Sequence, residues 1–367
     1  MLLTKPNRWQ YFMFCIFCLI VLLLIISSSN NHESVQSLSS NQQVHDEHAS
    51  VKNFLTPKLL KIQNFLNDDE FLKNDEFRKI FFIETHMEQV RIIDKPRQAC
   101  SVESAALTNP NAKVYFILLT NSTSVSLKFS ELTKVLLSYK NINLRFLNPY
   151  EFSKGSAIEH LIESNIILGS KYHIEHMSDA MRTLILSKYP GLYLDLDVLS
   201  LISSSTVEFS NFACAQEKNL LGNAVIHIDR KGLKVFDVNL KKFNASYNPN
   251  VWAVNGPMMF SDSVRSFCQN KDIEVDKYTK CNDFTIMPTK KCYPIGYPEF
   301  SMFYTEDGVT KALKRVQQSE SYFIHIWNKM QEFGNTNYKM TFNSSAAYVE
   351  LGKALCPRVL KTVENYF

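Results

Sequence analysis

Two aspartates, Asp195 and Asp197, interrupt an otherwise apolar segment, Lys188–Leu201, with the sequence KYPGLYLDLDVLSL. Charged side chains are rarely buried unless they are paired or bound to a metal. Alternate residues of a strand share a face, so both carboxylates would point the same way, about 6.6 Å apart. A divalent cation could then be engaged by both acids. An edge strand with a wetted acidic face shows the same pattern, and these residues alone leave both interpretations open.

A polar pair precedes the acids on a predicted helix, Met177–Gly191. Ser178 is its expected N-cap, and Pro190 ends it. Asp179 and Arg182 are three residues apart, so they share one face of the first turn. They form either a surface ion pair or a carboxylate and a guanidinium offered to a polyhydroxylated ligand beside Asp195 and Asp197.

A third candidate element lies near the C-terminus, in Ser321–Lys329, with the sequence SYFIHIWNK. Its alternation predicts a strand that places His325 and Trp327 on one side. A histidine on an apolar face is more often a hydrogen-bonded core residue than a ligand. Trp327 adds an indole N–H donor to the same side, which favours a binding role.

The elements that must position these residues alternate between strands and helices. Short apolar runs at Ile80–Thr85, Lys113–Thr120 and Ile142–Leu147 predict strands. The segments Arg97–Leu107 and Ser130–Tyr139, which separate them, have helical patterns. This alternation predicts an α/β fold with a parallel, doubly wound sheet. About 290 residues are enough for one large domain of this kind.

The N-terminus predicts a membrane anchor. Trp9–Ile26 has no charged residue, and Ser27–Ser29 could extend this apolar run to the length of about 20 residues that spans a bilayer. Lys5 and Arg8 precede it, which places the N-terminus in the cytoplasm. A cleaved signal peptide is the alternative, but no clear cleavage site follows. The predicted organisation is a cytoplasmic tail (1–8), a transmembrane signal anchor (9–29), a stem (30–78) and a lumenal catalytic domain (79–367).

Cysteines and sequons agree with a lumenal domain. Six cysteines lie beyond the apolar segment, an even number that favours disulfides without fixing their pairing. The glycosylation sequons begin at Asn121, Asn244 and Asn343. The formal net charge of the 367 residues is only +4, with no dense basic stripe, so nucleic acid is not an expected partner.

The motifs together resemble the eukaryotic α1,4-glycosyltransferase family. The resemblance runs along the whole predicted lumenal domain and is most specific where SDxxR is followed by DxD and, near the C-terminus, by HxWN. The segments that carry it, in the family's order, are IFFIET, RQACSVESAALTNP, SDAMRTLILSKYPGLYLDLDVLSL, NGPMMF, FTIMPTKKCYPI and HIWNK.

The resemblance implies a GT-A (Rossmann-like) fold on a single-pass type II Golgi membrane protein. It implies a retaining enzyme that moves galactose or N-acetylgalactosamine from a UDP-sugar to a glycosphingolipid in α1,4 linkage. Asp195 and Asp197, with His325 completing the site, would hold Mn²⁺, or Mg²⁺, against the donor diphosphate. These two acids are the expected catalytic residues.

Further residues are implied on the donor side. Asp179 and Arg182 would bind the hydroxyls of the donor sugar, Asn255 and Gly256 would line the cleft, and Trp327 would contact the diphosphate. No carboxylate declares itself as a nucleophile, so front-face attack is the expected route to retention.

One departure from the family is Pro190, which replaces the first of two glycines before the aspartates. Proline fixes φ and removes an N–H, so the turn should form with an altered backbone. Two other interpretations stay open. LDLDVL also resembles the opening motif of haloacid dehalogenase-like phosphatases, and the chain could be an inactive lumenal glycan-binding pseudoenzyme.

Overall fold

A computed structural model of the chain describes residues 59–74, 78–87, 90–230, 233–269, 272–363 and 367. The chain divides into two units, Met1–Thr56 and Pro57–Phe367, and the first lies outside the described residues. The predicted cytoplasmic tail and transmembrane anchor therefore also lie outside them. Among the helices that are described, none has the length and apolar character needed to cross a bilayer.

Strands occur along the whole described chain. Their bounds are β1 Leu59–Asn64, β2 Lys79–Glu84, β3 Val90–Ile92, β4 Lys113–Leu119, β5 Val125–Lys128, β6 Ile142–Leu147, β7 Gly191–Leu194, β8 Val198–Ser200, β9 Phe212–Glu217, β10 Leu220–Ile228, β11 Thr279–Cys281, β12 Phe284–Met287 and β13 Phe323–His325.

Helices separate most of these strands. Their bounds are α1 Asp69–Lys73, α2 Pro96–Thr108, α3 Glu131–Leu137, α4 Pro149–Ser153, α5 Glu159–Glu163, α6 His173–Lys188, α7 Leu233–Ser246, α8 Met259–Cys268, α9 Val309–Ser319, α10 Asn328–Phe333, α11 Ala347–Leu355 and α12 Pro357–Lys361. A π-helical turn, Val254–Met258, leads directly into α8.

The main sheet is mixed rather than wholly parallel. Its order is β11-β12-β9-β10-β7-β2-β4-β6-β1-β5-β3, and β8 and β13 form a separate pair. Strands β7, β2, β4 and β6 run parallel at its centre, as predicted. Strand β10, however, is antiparallel to both β7 and β9, and β1 is antiparallel to β5. The mixed α/β class is therefore confirmed, whereas the expectation of a uniformly parallel sheet was wrong.

The central strands form because their residues are apolar on both faces, as expected for strands covered by helices. Phe81 and Tyr115 pack into a core on one side of the sheet, and their neighbours Phe82 and Phe116 pack on the other. Consecutive side chains of a strand point to opposite faces, so one run supplies both cores. The predicted strand Ile142–Leu147 agrees with β6 at both ends.

The sheet includes residues that the sequence analysis assigned to the stem. Strand β1, Leu59–Asn64, pairs with β5 and β6. The Phe65 side chain is fully buried, and its ring makes edge contacts with Phe81 and Tyr115. The first strand of the sheet therefore begins at Leu59, ahead of the domain boundary expected at residue 79, and Phe65, which follows this strand, is part of the core.

Three disulfides close the fold, as the even number of cysteines predicts. They join Cys100 to Cys356, Cys214 to Cys292 and Cys268 to Cys281. The first ties the C-terminal helices α11 and α12 to α2. The second links β9 to the segment that follows β12.

Glu84, the last residue of β2, gives the protein a predicted sensitivity to acid. Burial alone would raise its pKa, but the hydrogen bond and charge of His86 and the charge of Lys95 outweigh burial and lower the pKa of Glu84 to about 2. A carboxyl with a lower pKa in the folded chain stabilises it above its unfolded pKa, and this contribution is lost as the pH falls through the folded pKa.

We therefore expect the free energy of unfolding to decrease by up to about 3 kcal/mol between pH 5 and pH 2 through this one group. Urea unfolding at several pH values should show that Glu84→Gln flattens this dependence. The same slope in the wild type and the variant would contradict the assignment.

Candidate active site

Helix α6 carries the polar pair that was predicted from the sequence. It begins at His173, one turn earlier than expected, so Ser178 lies inside the helix and is not its N-cap. The Ser178 carbonyl and hydroxyl instead accept hydrogen bonds from Arg182, at 3.3 and 2.7 Å. Asp179 and Arg182 are both buried in the middle of the helix. Their burial excludes an ordinary surface ion pair.

The two aspartates lie just beyond a strand rather than along it. Strand β7 ends at Leu194, and Asp195, Leu196 and Asp197 form the turn to β8. The Asp195 N–H donates to the carbonyl of Ala224 on β10, at 2.9 Å. The predicted same-face strand geometry was therefore wrong. The acids nevertheless occupy the carboxyl end of a central strand, where ligands collect in α/β sheets.

The C-terminal element reaches this turn by strand pairing. Strand β13 is antiparallel to β8, with His325 opposite Val198. It is shorter than predicted, because Trp327 adopts a left-handed φ of 63° and α10 begins at Asn328. The Asn328 N–H then donates to Asp197 Oδ2 at 2.9 Å. Pairing and helix start together bring His325 against the acids.

Asp195, Asp197 and His325 form a cluster suited to a cation. One potential ligand atom from each lies within 4.8 Å of the other two. His325 Nε2 is 2.9 Å from Asp197 Oδ1, while the buried Nδ1 of the same ring has no hydrogen-bond partner within the described chain. Two carboxylates and one imidazole are ligands that Mn²⁺ accepts. The residues therefore fit a divalent metal.

The charge state of Asp197 suits this role. Burial acts to raise its pKa, but His325, by charge and hydrogen bond, and the backbone N–H of Asn328 outweigh burial and lower the pKa of Asp197 below its usual value. The carboxylate is thus the favoured form even though it is largely buried.

Arg182 connects the acids to the neighbouring helix. Its Nη1 lies 3.0 Å from Asp195 Oδ1 and donates to the carbonyl of Asn223 at 2.7 Å. The Tyr193 hydroxyl donates to the same Asp195 oxygen at 2.6 Å, and the guanidinium lies over the Tyr193 ring. Asp195 therefore belongs both to the metal-binding cluster and to a rigid hydrogen-bonded group.

Asp179 lies on the other side of Arg182, at 3.5 Å. Its Oδ1 accepts a hydrogen bond from Asn223 Nδ2 at 2.8 Å. Burial raises the pKa of Asp179 to about 6, although Arg182 and Asn223 act to lower it. A Cβ on Gly256 would lie 2.5 Å from both Asp179 oxygens, so only glycine leaves room for this carboxylate. Gly256 and Asp179 are in contact, as a shared binding site requires.

Asn223 is a member of this group that the sequence analysis missed. It lies on β10 in an apolar segment, LLGNAVIHI, and no motif identifies it. Its amide in a mostly buried strand is the one signal that could have indicated a role in the site, because a polar group in such a place needs hydrogen-bond partners.

Two predicted donor-site residues have other partners. Asn255 is buried, and it donates to the Asn248 carbonyl at 2.7 Å and lies 3.2 Å from His176 Nε2, so it anchors its own loop. The Trp327 indole N–H donates to the Ile295 carbonyl at 2.8 Å and is not free for a diphosphate. Its ring centroid lies 4.0 Å from that of His325, which it holds in place.

Pro190 leaves the turn intact, as predicted. Tyr189 before it has an extended conformation, which proline imposes on its predecessor, and β7 starts directly afterwards. Gly191 is the critical position, because a Cβ there would lie 2.5 Å from Phe81.

An ion pair joins the two helices that carry site residues, α6 and α10. Lys329 of α10 lies 2.8 Å from Glu175, which is one turn before Asp179 on α6.

The sequon residues Asn121, Asn244 and Asn343 are all exposed, and each can be reached from solvent.

The chain is similar to two described families along most of this fold. Residues 95–213 match the glycosyltransferase sugar-binding region containing the DXD motif. Residues 228–363 match the alpha 1,4-glycosyltransferase conserved region. The first match contains Asp179, Arg182 and both aspartates, and the second contains Gly256 and His325.

Individual relatives agree with these matches. Lactosylceramide 4-alpha-galactosyltransferase of Mus musculus is 26% identical over 288 residues, which cover 78% of this chain and 76% of the relative. Alpha-1,4-N-acetylglucosaminyltransferase of Homo sapiens is 28% identical over 299 residues, covering 77% and 80%.

Similarity to solved structures is weaker. A galactosyltransferase LgtC structure with donor and acceptor sugar analogs covers 76% of this chain and 94% of its own, at 14% identity and a TM-score of 0.38. A score at this level does not establish a shared fold.

Proposed function

Because this chain belongs to the α1,4-glycosyltransferase family, we propose that it transfers a hexose from a UDP-sugar to a glycosphingolipid in α1,4 linkage with retention. Galactose and N-acetylgalactosamine are the proposed sugars. One observation carries the proposal: Asp195, Asp197 and His325 lie together beside the buried Asp179–Arg182 pair. The mixed sheet is compatible with a GT-A fold, which we include in the proposal.

Asp195, Asp197 and His325 would hold the divalent ion, Mn²⁺ or Mg²⁺. When bound, the ion supplies Lewis-acid stabilisation of the charge that develops on the departing diphosphate. The chain prepares this site before the ion arrives: the N–H of Asn328 holds Asp197, and Tyr193 and Arg182 hold Asp195. Such outer contacts orient the ligands.

The donor sugar would lie against Asp179, Arg182 and Asn223. Their carboxylate, guanidinium and amide offer both acceptors and donors to hydroxyl groups, and the burial of Asp179 and Arg182 keeps water from competing. Asp179 is already held by Asn223 and by the close approach of Gly256. We assign it to binding the sugar rather than to nucleophilic attack. Retention would then proceed by front-face attack, and trapping a glycosyl adduct on any carboxylate would contradict this.

A membrane setting completes the proposal. A glycosphingolipid acceptor is presented at a membrane surface, and the apolar segment Trp9–Ile26 would anchor the chain there. We propose a single-pass type II protein of the Golgi membrane whose catalytic domain is lumenal. The three exposed sequons support this orientation.

The test is a transfer assay with the full-length protein in detergent micelles. UDP-galactose, UDP-N-acetylgalactosamine and UDP-N-acetylglucosamine are each offered with lactosylceramide and other glycosphingolipid cores, with Mn²⁺, with Mg²⁺ or with a chelator. We expect metal-dependent transfer from a galactose-type donor, and digestion with linkage-specific glycosidases should show an α1,4 bond. Equal transfer in the presence of the chelator, or donor hydrolysis without transfer to any acceptor, would overturn the proposal.

A further inference from the structure

The segment FTIMPTKKCYPI carries part of the family resemblance, and the proposed function leaves it without a role. Its residue Tyr293 is buried, at 2% exposure. The Tyr293 ring contacts that of His325 edge-on, with centroids 5.7 Å apart, and that of Trp327 at 5.4 Å. The motif therefore supports the imidazole of the proposed metal site.

The Tyr293 hydroxyl has a specific place in the fold. A Cβ on Gly222 would lie 1.9 Å from this oxygen, so strand β10 admits the hydroxyl only because residue 222 is glycine. The next two residues of β10 contact the site directly: the Asn223 carbonyl accepts from Arg182, and the Ala224 carbonyl accepts from Asp195. Tyr293, Arg182 and Asp195 thus rest on one stretch of backbone.

The hydroxyl nevertheless makes no well-formed hydrogen bond among the described residues. A buried hydroxyl without a well-formed hydrogen bond destabilises the fold, and phenylalanine would avoid this cost at the same shape. Burial, and after it the charge of Asp195, raise the pKa of this phenol, whereas the backbone N–H of Ala224 acts to lower it. A buried hydroxyl without a well-formed hydrogen bond, on the stretch of β10 that also holds Asp195, indicates a donor that is used when the site is occupied.

The segment that holds Tyr293 is rigid. Its neighbour Cys292 is bonded to Cys214 of β9, and the Cys292 carbonyl accepts from the backbone N–H of His325. The ring is therefore fixed against both the sheet and the strand that carries the imidazole, and it needs little reorganisation to act.

We propose that Tyr293 is a positioning residue for the metal site, whose hydroxyl donates to the carboxylate of Asp195 when a cation is bound. The inference rests on the proposed function, since it needs the cluster to bind a divalent ion. It assigns to Tyr293 of the segment FTIMPTKKCYPI the role of orienting Asp195 and His325.

The test compares Tyr293→Phe with Tyr115→Phe in the full-length protein, with Mn²⁺ alone as the probe. Tyr115 is a matched control, because it is also fully buried and its hydroxyl makes no well-formed hydrogen bond among the described residues, but it lies in the core on β4. We expect Tyr293→Phe to weaken Mn²⁺ binding about 10-fold or more, as loss of an outer contact to a ligand does. Tyr115→Phe should leave Mn²⁺ binding unchanged.

Thermal unfolding of the metal-free proteins separates this role from a structural one. Both variants should unfold at the same temperature as the wild type or higher, because each loses an unsatisfied hydroxyl. Unchanged Mn²⁺ affinity in Tyr293→Phe would overturn the inference while leaving the proposed function intact. Failure of the wild type itself to bind Mn²⁺ would remove both.

Discussion

Replacing Asp197 with asparagine is expected to abolish most metal binding and transfer. The substitution keeps the size of the side chain but removes the charge that faces His325 at 2.9 Å. An amide can still accept from the Asn328 N–H, so the local backbone should be preserved. We expect Mn²⁺ affinity to fall at least about 100-fold and the transfer rate by a factor of about 10² to 10³. Calorimetric Mn²⁺ titration and the transfer assay measure the two effects.

The matched control is Asp262→Asn, which removes a carboxylate that pairs with Arg265 at the surface of α8. It should change neither Mn²⁺ affinity nor transfer. Full metal binding in Asp197→Asn would show that Asp197 is not a ligand of the metal. If transfer were lost all the same, Asp197 would act in a step after the ion binds.

The sequence predicted the members of this site better than their geometry. Asp195 and Asp197 were selected by residue type and spacing, and His325 as a metal ligand by the family resemblance; the structure places the three together. The reason given, two acids on one face of a strand, was wrong because β7 ends at Leu194. Alternation in LYLDLDVL cannot reveal this, since a tight turn between two short strands has the same apolar pattern.

The contacts across the sheet were the part that could not be predicted. Asn223 reaches Asp179 only because β10 pairs with β7, although the two strands are not consecutive in the chain. Trp327 was assigned an indole N–H that contacts the diphosphate, but this N–H donates to the Ile295 carbonyl. Local patterns contain no information about either partner.

The central strands were predictable for the opposite reason. β2, β4 and β6 are continuous apolar runs, and a strand buried on both faces needs no partner-specific residue to be recognised. The predicted boundary between stem and domain lay too late in the chain because β1, LLKIQN, mixes polar with apolar residues, and only its pairing with β5 and β6 shows that it is part of the sheet.

Arg182→Lys is expected to disturb both the residues proposed to bind the donor sugar and Asp195 of the metal-binding cluster. The guanidinium makes a hydrogen bond to the Asn223 carbonyl, two to Ser178 and ion pairs to Asp195 and Asp179. A lysine keeps the charge but cannot reproduce this planar set of donors. We expect the free energy of unfolding to fall by about 2–4 kcal/mol, because buried carboxylates lose their partners. Transfer should fall about 100-fold.

A surface arginine provides the comparison. Arg315 makes two hydrogen bonds to Glu299 through a half-exposed pair, so Arg315→Lys should cost less than about 1 kcal/mol and leave transfer unchanged. Equal losses in the two variants would show that burial at Arg182 has no special role.

The pattern of losses also tests how the site is organised. Asp195 is shared, since it faces the cation cluster and also receives Arg182. Arg182→Lys should therefore raise the KM for the UDP-sugar and weaken Mn²⁺ binding together, whereas Asp197→Asn should act on Mn²⁺ first. If Arg182→Lys raised only the donor KM and left Mn²⁺ affinity at the wild-type value, Asp195 would belong to the sugar group alone, and Asp197 with His325 would have to hold the ion without it.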